Sequence, residues 1–339
     1  MKTVGIDCRF GSLHAGLGRY TREVVTELLK RDDGLSYVLF VRSPRELWLK
    51  DLPKKGVIVT ANFPHYSIQE QLFFPEILKR AAIDLLYSPH FNVPLRCAVP
   101  FVITVHDLIL HRYPNEAGLF KRLGYQWVMR SAVQKARSII AVSRFTAGEL
   151  ESIYGGVARL KASVIGEGVR MSEPTPDVKT KFHLGKPFFL YIGNAKQHKN
   201  VQTLIDAFAR LPSNDRELVL VTHGKEVNRL RLAPGVRMFR AVSDRDLAAL
   251  YIEATAFITA SLYEGYCLPV VEAQSIGCPV IASKRGAILE VAAESAILIE
   301  PTAEAFAAAM RGDIPRKSAV RSPSWAQAAE QIARVLQAV

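Results

Sequence analysis

Residues 256–282, AFITASLYEGYCLPVVEAQSIGCPVIA, contain the pattern that decides the fold. A short apolar run at residues 256–259 is followed by a polar loop, by a helical segment with Pro269 in its first turn, and by a second apolar run at residues 279–282. Strand, helix and strand in this order are typical of a βαβ unit, whose two strands lie parallel in one sheet. Open sheets of this kind bind ligands beyond the carboxyl ends of their strands, so the loop after residue 259 is the first place to look for a site.

The same alternation extends in both directions along the chain. Strands are predicted at residues 3–7, 37–41, 57–60, 85–88, 101–105 and 138–142 in the first half, and at 188–192, 217–222, 236–239, 256–259, 279–282 and 296–299 in the second. Helices are predicted at residues 17–31, 69–81, 120–136, 201–210, 247–252, 269–276, 303–310 and 325–337. The pattern predicts an α/β protein with two doubly wound, Rossmann-like domains.

The polar segment SEPTPD at residues 172–177 holds two prolines and is the best candidate linker in the chain. We therefore expect an N-terminal domain at residues 1–171, a linker at 172–178 and a C-terminal domain at 179–322. A last helical stretch at residues 323–339 has no strand after it, and we expect it to pack back toward the N-terminal domain. The length of 339 residues suits two domains of this size.

Composition excludes several classes of protein. Apolar side chains make up 49% of the chain and charged ones 22%, which excludes a disordered or fibrous chain. The sequence contains no uncharged apolar stretch long enough to span a membrane, and its start lacks the features of a signal peptide, so a cytoplasmic location is expected. The cysteines are never spaced C-x-x-C, which predicts reduced thiols and no zinc site; they are Cys8, Cys97, Cys267 and Cys278.

The formal net charge of +12 is unevenly distributed. Residues 1–170 hold 24 Lys and Arg against 15 Asp and Glu, whereas the remainder holds 20 against 17. Such an excess attracts anions, whether nucleic acid, phosphorylated substrate or acidic lipid, and the charge alone does not choose among them.

The loop SLYEGYCLPVVE at residues 261–272 offers two carboxylates around a helix start. The amides of Tyr266, Cys267 and Leu268 precede the helix, where the positive end of the helix dipole suits a phosphate or diphosphate. Glu264 and Glu272 are spaced to reach opposite ends of one ligand, Glu264 its reacting end and Glu272 a pair of hydroxyls. The alternative is an ordinary acidic loop followed by a helix with a favourably placed glutamate.

A second loop, YIGNAKQHKN at residues 191–200, also follows a predicted strand. Lys196, His198 and Lys199 lie at its end, and such cations neutralise a diphosphate leaving group as a metal would. The alternative is a solvated basic loop.

Two features of the first half are weaker candidates. His106 ends the strand of FVITVHD, although a lone histidine is more often structural. Gly16 and Gly18 open a helix, but Thr21 stands where the dinucleotide fingerprint requires a third glycine or alanine, which weakens the case for a nicotinamide-dependent enzyme.

Two other motifs are better explained as helix caps. Asp244 and Asp246 form a D-x-D sequence of the kind that holds metals in many sugar-transfer enzymes, but Ser243 with Asp246 three residues later is typical of a cap. Ser143 is likewise predicted to be a helix N-cap and not a nucleophile.

Taken together, these segments resemble retaining glycosyltransferases of family 4, which have the two-domain GT-B fold. The resemblance rests on the Glu-x7-Glu pattern of Glu264 and Glu272, on GLGRY, VITVHDL, AVSRFT and YIGNAKQHKN, and on SIQEQLFFPEILKRAAIDLLYSPHFNVP. The chain departs from the family in three places: Asn194 stands where an arginine is frequent, Cys267 where glycine is usual, and Gly166-Glu167 where many members have Pro-Asn.

The resemblance implies a role for each candidate residue. Glu272 would bind the donor ribose, Glu264 would lie at the donor sugar near its anomeric carbon, and Lys199 would contact the diphosphate. Lys196 would assist Lys199. Both lysines would matter more in this chain because Asn194 stands where an arginine is frequent in the family. The remaining candidates would line the two sides of a central cleft, with His106 at the donor sugar and Gly16 and Gly18 near the phosphates.

The resemblance further implies a hexosyltransferase that retains anomeric configuration and needs neither a metal nor a cofactor. The expected donor is a nucleotide diphosphate sugar, with GDP-mannose as the first candidate, because the N-terminal segments resemble bacterial mannosyltransferases of surface polysaccharide assembly. The expected acceptor is a glycan or polyprenyl-linked hydroxyl, and no nucleic acid partner is expected. The alternative function is a sensor that binds a nucleotide sugar without turnover.

The segment AGLFKRLGYQWVMRSAVQKAR at residues 117–137 places five basic residues among aromatic and aliphatic ones. It predicts peripheral attachment to an anionic cytoplasmic leaflet of the inner membrane. The alternative is a packed helix whose aromatic side chains face the core and whose charges are solvated.

Overall fold

The computed structural model describes residues 2–13, 16–212, 215–316 and 318–339. The chain divides into two compact units, one formed by residues 1–168 with 323–339 and the other by residues 169–322. Each unit has one parallel sheet with helices on its faces, so the prediction of two doubly wound α/β domains is confirmed.

Unit 1 contains a seven-stranded sheet in the order β3-β2-β1-β4-β5-β6-β7. Its strands are β1 Lys2–Asp7, β2 Leu35–Val41, β3 Val57–Thr60, β4 Leu85–Ser88, β5 Phe101–Val105, β6 Ser138–Ala141 and β7 Ala162–Val164. Its helices are α1 Gly16–Lys30, α2 Ile68–Arg80, α3 Ile109–Arg112, α4 Leu119–Lys135, α5 Arg144–Tyr154 and α6 Gly156–Lys161, with the C-terminal helix Trp325–Ala338 added. Every residue of β5 is buried, as expected for a strand covered on both faces.

Unit 2 contains a six-stranded sheet in the order β10-β9-β8-β11-β12-β13. Its strands are β8 Phe188–Ile192, β9 Glu217–Val221, β10 Val236–Phe239, β11 Ala256–Thr259, β12 Val280–Ser283 and β13 Ile297–Ile299. Its helices are α7 Val178–Lys181, α8 Val201–Phe208, α9 Asp244–Glu253, α10 Leu268–Ser275, α11 Ile288–Val291 and α12 Ala303–Arg311. The C-terminal helix of unit 1 is therefore α13 in chain order.

Both faces of the second sheet are packed. Phe188 and Leu190 of β8 belong to one apolar cluster, whereas Phe189 and Tyr191 belong to another. This split follows from the alternation of side chains along a strand. Hydrophobic burial on both faces explains why the strands appear in the sequence as short continuous apolar runs.

The C-terminal helix α13 begins with a capping box, in which the Ser324 hydroxyl accepts from the Gln327 amide and the Gln327 side chain accepts from the Ser324 amide. Lys2 Nζ donates to the Leu336 carbonyl at 2.8 Å, which ties the helix to the first strand. A Cβ on Gly168 would lie 2.2 Å from the backbone nitrogen of Trp325, so only glycine allows this close approach.

The structure adds elements that the sequence did not predict. Strand β7, at one edge of the sheet, is three residues long, and helix α6 is six residues long. Both are too short to show a periodic apolar pattern in the sequence. Helix α9 begins at Asp244, three residues earlier than predicted, because Ser243 caps it. Among the helices that the structure describes, none is both long and apolar enough to cross a bilayer.

Candidate functional site

The main candidate site lies in unit 2, at the carboxyl ends of β8 and β11. These two strands are neighbours at the point where the strand order reverses, which is where open α/β sheets bind ligands. A backbone hydrogen bond of 2.7 Å from the Leu262 amide to the His198 carbonyl joins the loops that follow them. The two loops that the sequence identified separately therefore form one structure.

Lys199 and Glu264 meet in this structure. Lys199 Nζ donates to Glu264 Oε1 at 2.7 Å, and the two side chains are only 20% and 11% exposed. A cation and a carboxylate thus lie together at the carboxyl ends of β8 and β11, each with a small exposed fraction. An ion pair with little exposure is less screened by solvent than a surface pair, so each charge acts strongly on a ligand bound beside it.

Helix α10 begins directly after this pair. Cys267 is its N-cap residue and Pro269 lies in its first turn, as predicted. Cys267 has a φ of +75°, a left-handed conformation that residues other than glycine seldom adopt. Glycine would adopt this conformation without strain, so Cys267 makes the turn into the helix at a cost in backbone strain.

The Cys267 thiol is buried against Glu264. Burial first, and then the negative charge of Glu264, raise the pKa of Cys267 well above its usual value. The thiol therefore stays protonated, which argues against a nucleophilic role. The four cysteines are free in the structure, and Cys97 is the least buried of them.

Glu272 lies one turn into α10 and is only 3% exposed. Its Oε2 accepts a hydrogen bond of 3.0 Å from the hydroxyl of Tyr251, which comes from α9. The Pro269 carbonyl oxygen lies 3.3 Å from the same hydroxyl, so the two acceptors share its one hydrogen. Tyr251 could not be identified from the sequence, because its spacing is that of an ordinary buried residue on an amphipathic helix.

The other predicted donor residues lie around this edge. Tyr266 is buried and Leu268 is the first residue of α10. Lys196 is exposed at the start of the turn that carries Lys199. Asn194 shapes that turn, since its side chain accepts from the Lys196 amide at 3.2 Å and its carbonyl accepts from the Tyr191 hydroxyl at 2.7 Å.

In unit 1, His106 lies directly after β5, at the carboxyl edge of the sheet as predicted. Its Nδ1 lies 3.1 Å from Glu167 Oε1, and its Nε2 lies 2.9 Å from the Pro89 carbonyl oxygen. The sequence singled out Glu167 only as a departure from the family. The contact between residues 61 positions apart depends on strand order, which sequence spacing does not reveal.

The two glycines at the start of α1 differ in their surroundings. A Cβ on Gly18 would lie 1.9 Å from the Leu13 carbonyl oxygen, whereas a Cβ on Gly16 would meet nothing within 4 Å. Packing alone therefore requires glycine at position 18. Gly16 lies exposed at the first position of the helix, and its proposed place near phosphates rests on the resemblance.

The two motifs that were interpreted as caps are caps. Ser143 accepts from the Thr146 amide at 3.0 Å, and Ser243 accepts from the Asp246 amide at 3.1 Å. The Asp246 carboxylate also accepts from Lys181 Nζ at 2.7 Å. The described contacts of Asp246 are therefore with Lys181 and with the N-terminal cap of α9.

Two family models match consecutive parts of the chain. Residues 14–173 match the model described as Glycosyltransferase Family 4, and residues 173–312 match the model described as Glycosyl transferases group 1. The chain belongs to the family 4 type of glycosyltransferases. The family predicted from the sequence motifs is confirmed over residues 14–312.

Among curated members of this glycosyltransferase group, O-antigen chain mannosyltransferase B of Escherichia coli is 27% identical over 237 residues, which cover 64% of this chain and 62% of that protein. O-antigen chain mannosyltransferase RfbU of Salmonella typhimurium is 25% identical over 236 residues, which cover 67% of this chain and 64% of that protein. The chain thus spans less than two thirds of the length of these relatives.

Solved structures are similar over the full length of the chain. The Anabaena protein HepE, in complex with UDP and glucose, superimposes with a TM-score of 0.73 at 18% identity and covers all of both chains. WaaG, a glycosyltransferase involved in lipopolysaccharide biosynthesis, gives a TM-score of 0.69 at 17% identity over 98% of this chain and 95% of that one. These likenesses confirm the GT-B type of fold for this glycosyltransferase.

Proposed function

We propose that this protein is a retaining hexosyltransferase that moves mannose from GDP-mannose to a hydroxyl of a glycan or polyprenyl-linked acceptor. The observation that carries the proposal is the Lys199–Glu264 pair at the strand-order reversal of unit 2. Lys199 supplies a fixed positive charge for the donor diphosphate, and the amides that begin α10 supply the positive end of a helix. Glu264 faces the donor sugar near its anomeric carbon.

In the proposed reaction the bond between the anomeric carbon and the diphosphate oxygen breaks, and the diphosphate leaves with the electron pair. The acceptor hydroxyl oxygen forms the new bond on the same face of the sugar, and its proton passes to the leaving diphosphate. Negative charge grows on the diphosphate while positive charge grows on the sugar. Lys199 and Glu264 have the signs of charge that stabilise this separation, so the proposed mechanism uses no divalent metal and no cofactor.

The choice of mannose is supported by the names of the two sequence relatives, both O-antigen chain mannosyltransferases. The choice of a nucleotide donor is supported by HepE, which was solved with UDP and glucose. GDP-mannose remains the first candidate because of the resemblance of the N-terminal segments to mannosyltransferases.

A panel of nucleotide sugars tests this function by thermal shift and by product analysis with and without a chelator. In the thermal-shift panel we expect GDP-mannose to stabilise unit 2 most, by about 2.7 kcal/mol at 100 times its Kd. In the product analysis we expect its mannose to appear in an α-linked product, or to be released by slow hydrolysis, in the presence of chelator. Binding without any transfer or hydrolysis would favour the sensor function. Loss of turnover on chelation with recovery on adding manganese would contradict metal independence.

Glu272→Ala is expected to weaken donor binding by at least about tenfold. A carboxylate that accepts from two ribose hydroxyls contributes about 1.5–3 kcal/mol for each charged hydrogen bond. Isothermal titration with the best donor of the panel measures the change, and Glu253→Ala serves as the control because Glu253 forms an exposed ion pair with Lys179 in the same unit. Equal donor affinity in the Glu272 variant and the control would remove Glu272 from the donor site.

We further propose that α4 attaches the protein to an anionic membrane that carries the acceptor. Phe120 is 90% exposed and Trp127 is 67% exposed, whereas Tyr125 is buried, so two of the three aromatic side chains do not face the core as the alternative of a packed helix requires. The exposed apolar side chains share one face of the helix, at positions 119, 120, 123 and 127. Lys121 follows Phe120 in the helix and is exposed.

Sedimentation with vesicles of anionic and of neutral lipid tests this attachment. Lys121→Glu with Arg122→Glu is expected to weaken binding to anionic vesicles by about thirtyfold, since each basic residue near the surface contributes about 1 kcal/mol. The control is Lys50→Glu with Lys54→Glu, which reverses two charges elsewhere in unit 1. Binding that is equal for the two double variants, or that does not fall as salt is raised, would argue for an acceptor free in solution.

A further inference from the structure

His106 has an acceptor at each ring nitrogen. The Pro89 carbonyl oxygen lies 2.9 Å from Nε2, and Glu167 Oε1 lies 3.1 Å from Nδ1. A neutral imidazole carries one N–H, so it can donate to only one of these groups, whereas the imidazolium ion carries two and can donate to both. The hydrogen-bond geometry therefore favours the doubly protonated ring.

The groups around His106 support a positive charge there. Burial by itself lowers the pKa of His106, but the hydrogen bond and charge of Glu167, followed by the hydrogen bond to the Pro89 carbonyl and the charge of Asp107, together raise this pKa above its usual value. The other titratable neighbours are Tyr20, whose ring meets the imidazole edge-on at 4.5 Å, and His90, whose ring centre lies 6.4 Å away. Neither of them supplies a competing positive charge, as the state of His90 shows.

His90 is held neutral. Burial first, and then the charge of His106, lower the pKa of His90 well below its usual value. The Nδ1 atom of His90 accepts from the Asn92 amide at 3.2 Å, a contact that requires an unprotonated nitrogen. The two histidines at this edge of the sheet therefore differ in charge, and Glu167 is the group that makes His106 the charged one.

We propose that Glu167 is a positioning residue that holds His106 as an imidazolium ion, fixed between Glu167 and the Pro89 carbonyl, and that this charged form is the one active in sugar transfer. The first half of the proposal concerns unit 1 alone, and only the second half rests on the proposed function. Many members of the family have asparagine where this chain has Glu167, and a neutral amide does not impose a charge on the ring. The charge on His106 is thus a property of this chain's own residue. Both N–H groups of this imidazolium are engaged, by Glu167 and by the Pro89 carbonyl, so it acts on a ligand through its charge and not through a further hydrogen bond.

Glu167→Gln separates charge from geometry. The glutamine amide can donate to an unprotonated Nδ1, so the ring keeps both hydrogen bonds while it carries a single proton on Nε2. We expect the titration midpoint of His106 to fall by about one pH unit or more in this variant, which reduces the charged fraction about tenfold at pH values above both midpoints. Glu330→Gln is the control, since it removes the same charge from an exposed pair with Arg334 on α13.

Nitrogen-15 NMR of the imidazole across pH measures the charge directly, and thermal unfolding confirms that each variant is folded. A ring that is neutral at pH 7 in the wild type, or that titrates alike in the wild type and in Glu167→Gln, would overturn the proposal. Glu167→Asp replaces Glu167→Gln if that variant proves unstable. It retains the carboxylate, so the titration midpoint of His106 should stay raised in part.

Transfer measured across the same pH range tests the second half. The charged form is lost as pH rises through the raised midpoint, so we expect activity to fall on the alkaline side, and to fall at a lower pH in Glu167→Gln. If the NMR midpoints differ but the two pH profiles coincide, His106 forms an ion pair with no part in transfer, and that half of the proposal fails. If the protein transfers no sugar at all, the NMR result still decides whether Glu167 holds the charge.

Discussion

Lys199→Met is expected to lower kcat about 10²–10³-fold, the effect of removing one fixed group that stabilises charge developing in a transition state. Lys199 holds its position through its pair with Glu264, and the low exposure of both side chains means that water replaces the lost charge poorly. Methionine keeps most of the length of the side chain, so the loss is of charge and not of packing. Lys199→Arg should retain most of the activity because it keeps the charge.

Two further variants make the result specific to Lys199. Lys196→Met removes a charge from the same loop, but that side chain is exposed and solvent screens it, so a loss of less than about tenfold is expected. Lys199→Met combined with Glu264→Gln tests whether the single variant loses activity only because it leaves Glu264 unpaired. Steady-state kinetics with saturating donor give kcat for each. A single variant with kcat within a few-fold of the wild type would remove Lys199 from the transition state.

The sequence predicted the fold well because parallel strands buried on both faces leave a strong local signal. Strand β5, for example, begins and ends at the predicted residues, as do β8 and β11. The same local signal located the loops that follow β8 and β11, since ligand sites of such sheets lie at strand ends. Element positions and candidate loops are thus properties that a stretch of ten residues can reveal.

The contacts between those loops could not be predicted in the same way. Lys199 and Glu264 are 65 residues apart, and they meet only because β8 and β11 are adjacent where the strand order reverses. The pairing of His106 with Glu167 also depends on strand order, since these residues follow β5 and β7, which lie on either side of β6. The sequence left two interpretations of α4 open, a membrane-facing helix and a packed one, because α4 is apolar on more than one face and its hydrophobic pattern does not indicate which face is buried.

Arg9→Met is expected to destabilise unit 1 by about 3–5 kcal/mol, the cost of removing one partner from a buried ion pair. Arg9 follows β1 and is fully buried together with Asp7 and Glu70. Its Nη2 donates at 2.7 Å to each of the two carboxylates, and its guanidinium lies 4.1 Å from the ring centre of Phe74. Asn92 Nδ2 donates to Glu70 at 2.9 Å, so the network joins β1, α2 and the loop after β4.

The loss of stability in Arg9→Met should be compared with the loss caused by breaking an arginine–carboxylate ion pair at the surface. Arg112 donates two hydrogen bonds to Glu149 in the same unit, but its side chain is 45% exposed. Arg112→Met is therefore expected to cost less than about 1 kcal/mol. Urea unfolding of both variants at pH 7 gives the comparison, and equal losses would show that burial of Arg9 does not make its pair more important.

The pH dependence of Arg9→Met tests the cause of its instability. Burial already raises the pKa of Glu70 in the intact network, even though Arg9 opposes this, and without Arg9 the pKa of Glu70 should rise further in the folded state. The folded variant then binds more protons than the unfolded chain between the unfolded and folded pKa values, so its stability decreases as pH rises through that window. We therefore expect the deficit of Arg9→Met relative to the wild type to be larger at pH 8 than at pH 5. Adding Asp7→Asn and Glu70→Gln should remove this difference, because no buried carboxylate is then left unpaired; a deficit independent of pH would instead assign the loss to packing against Phe74.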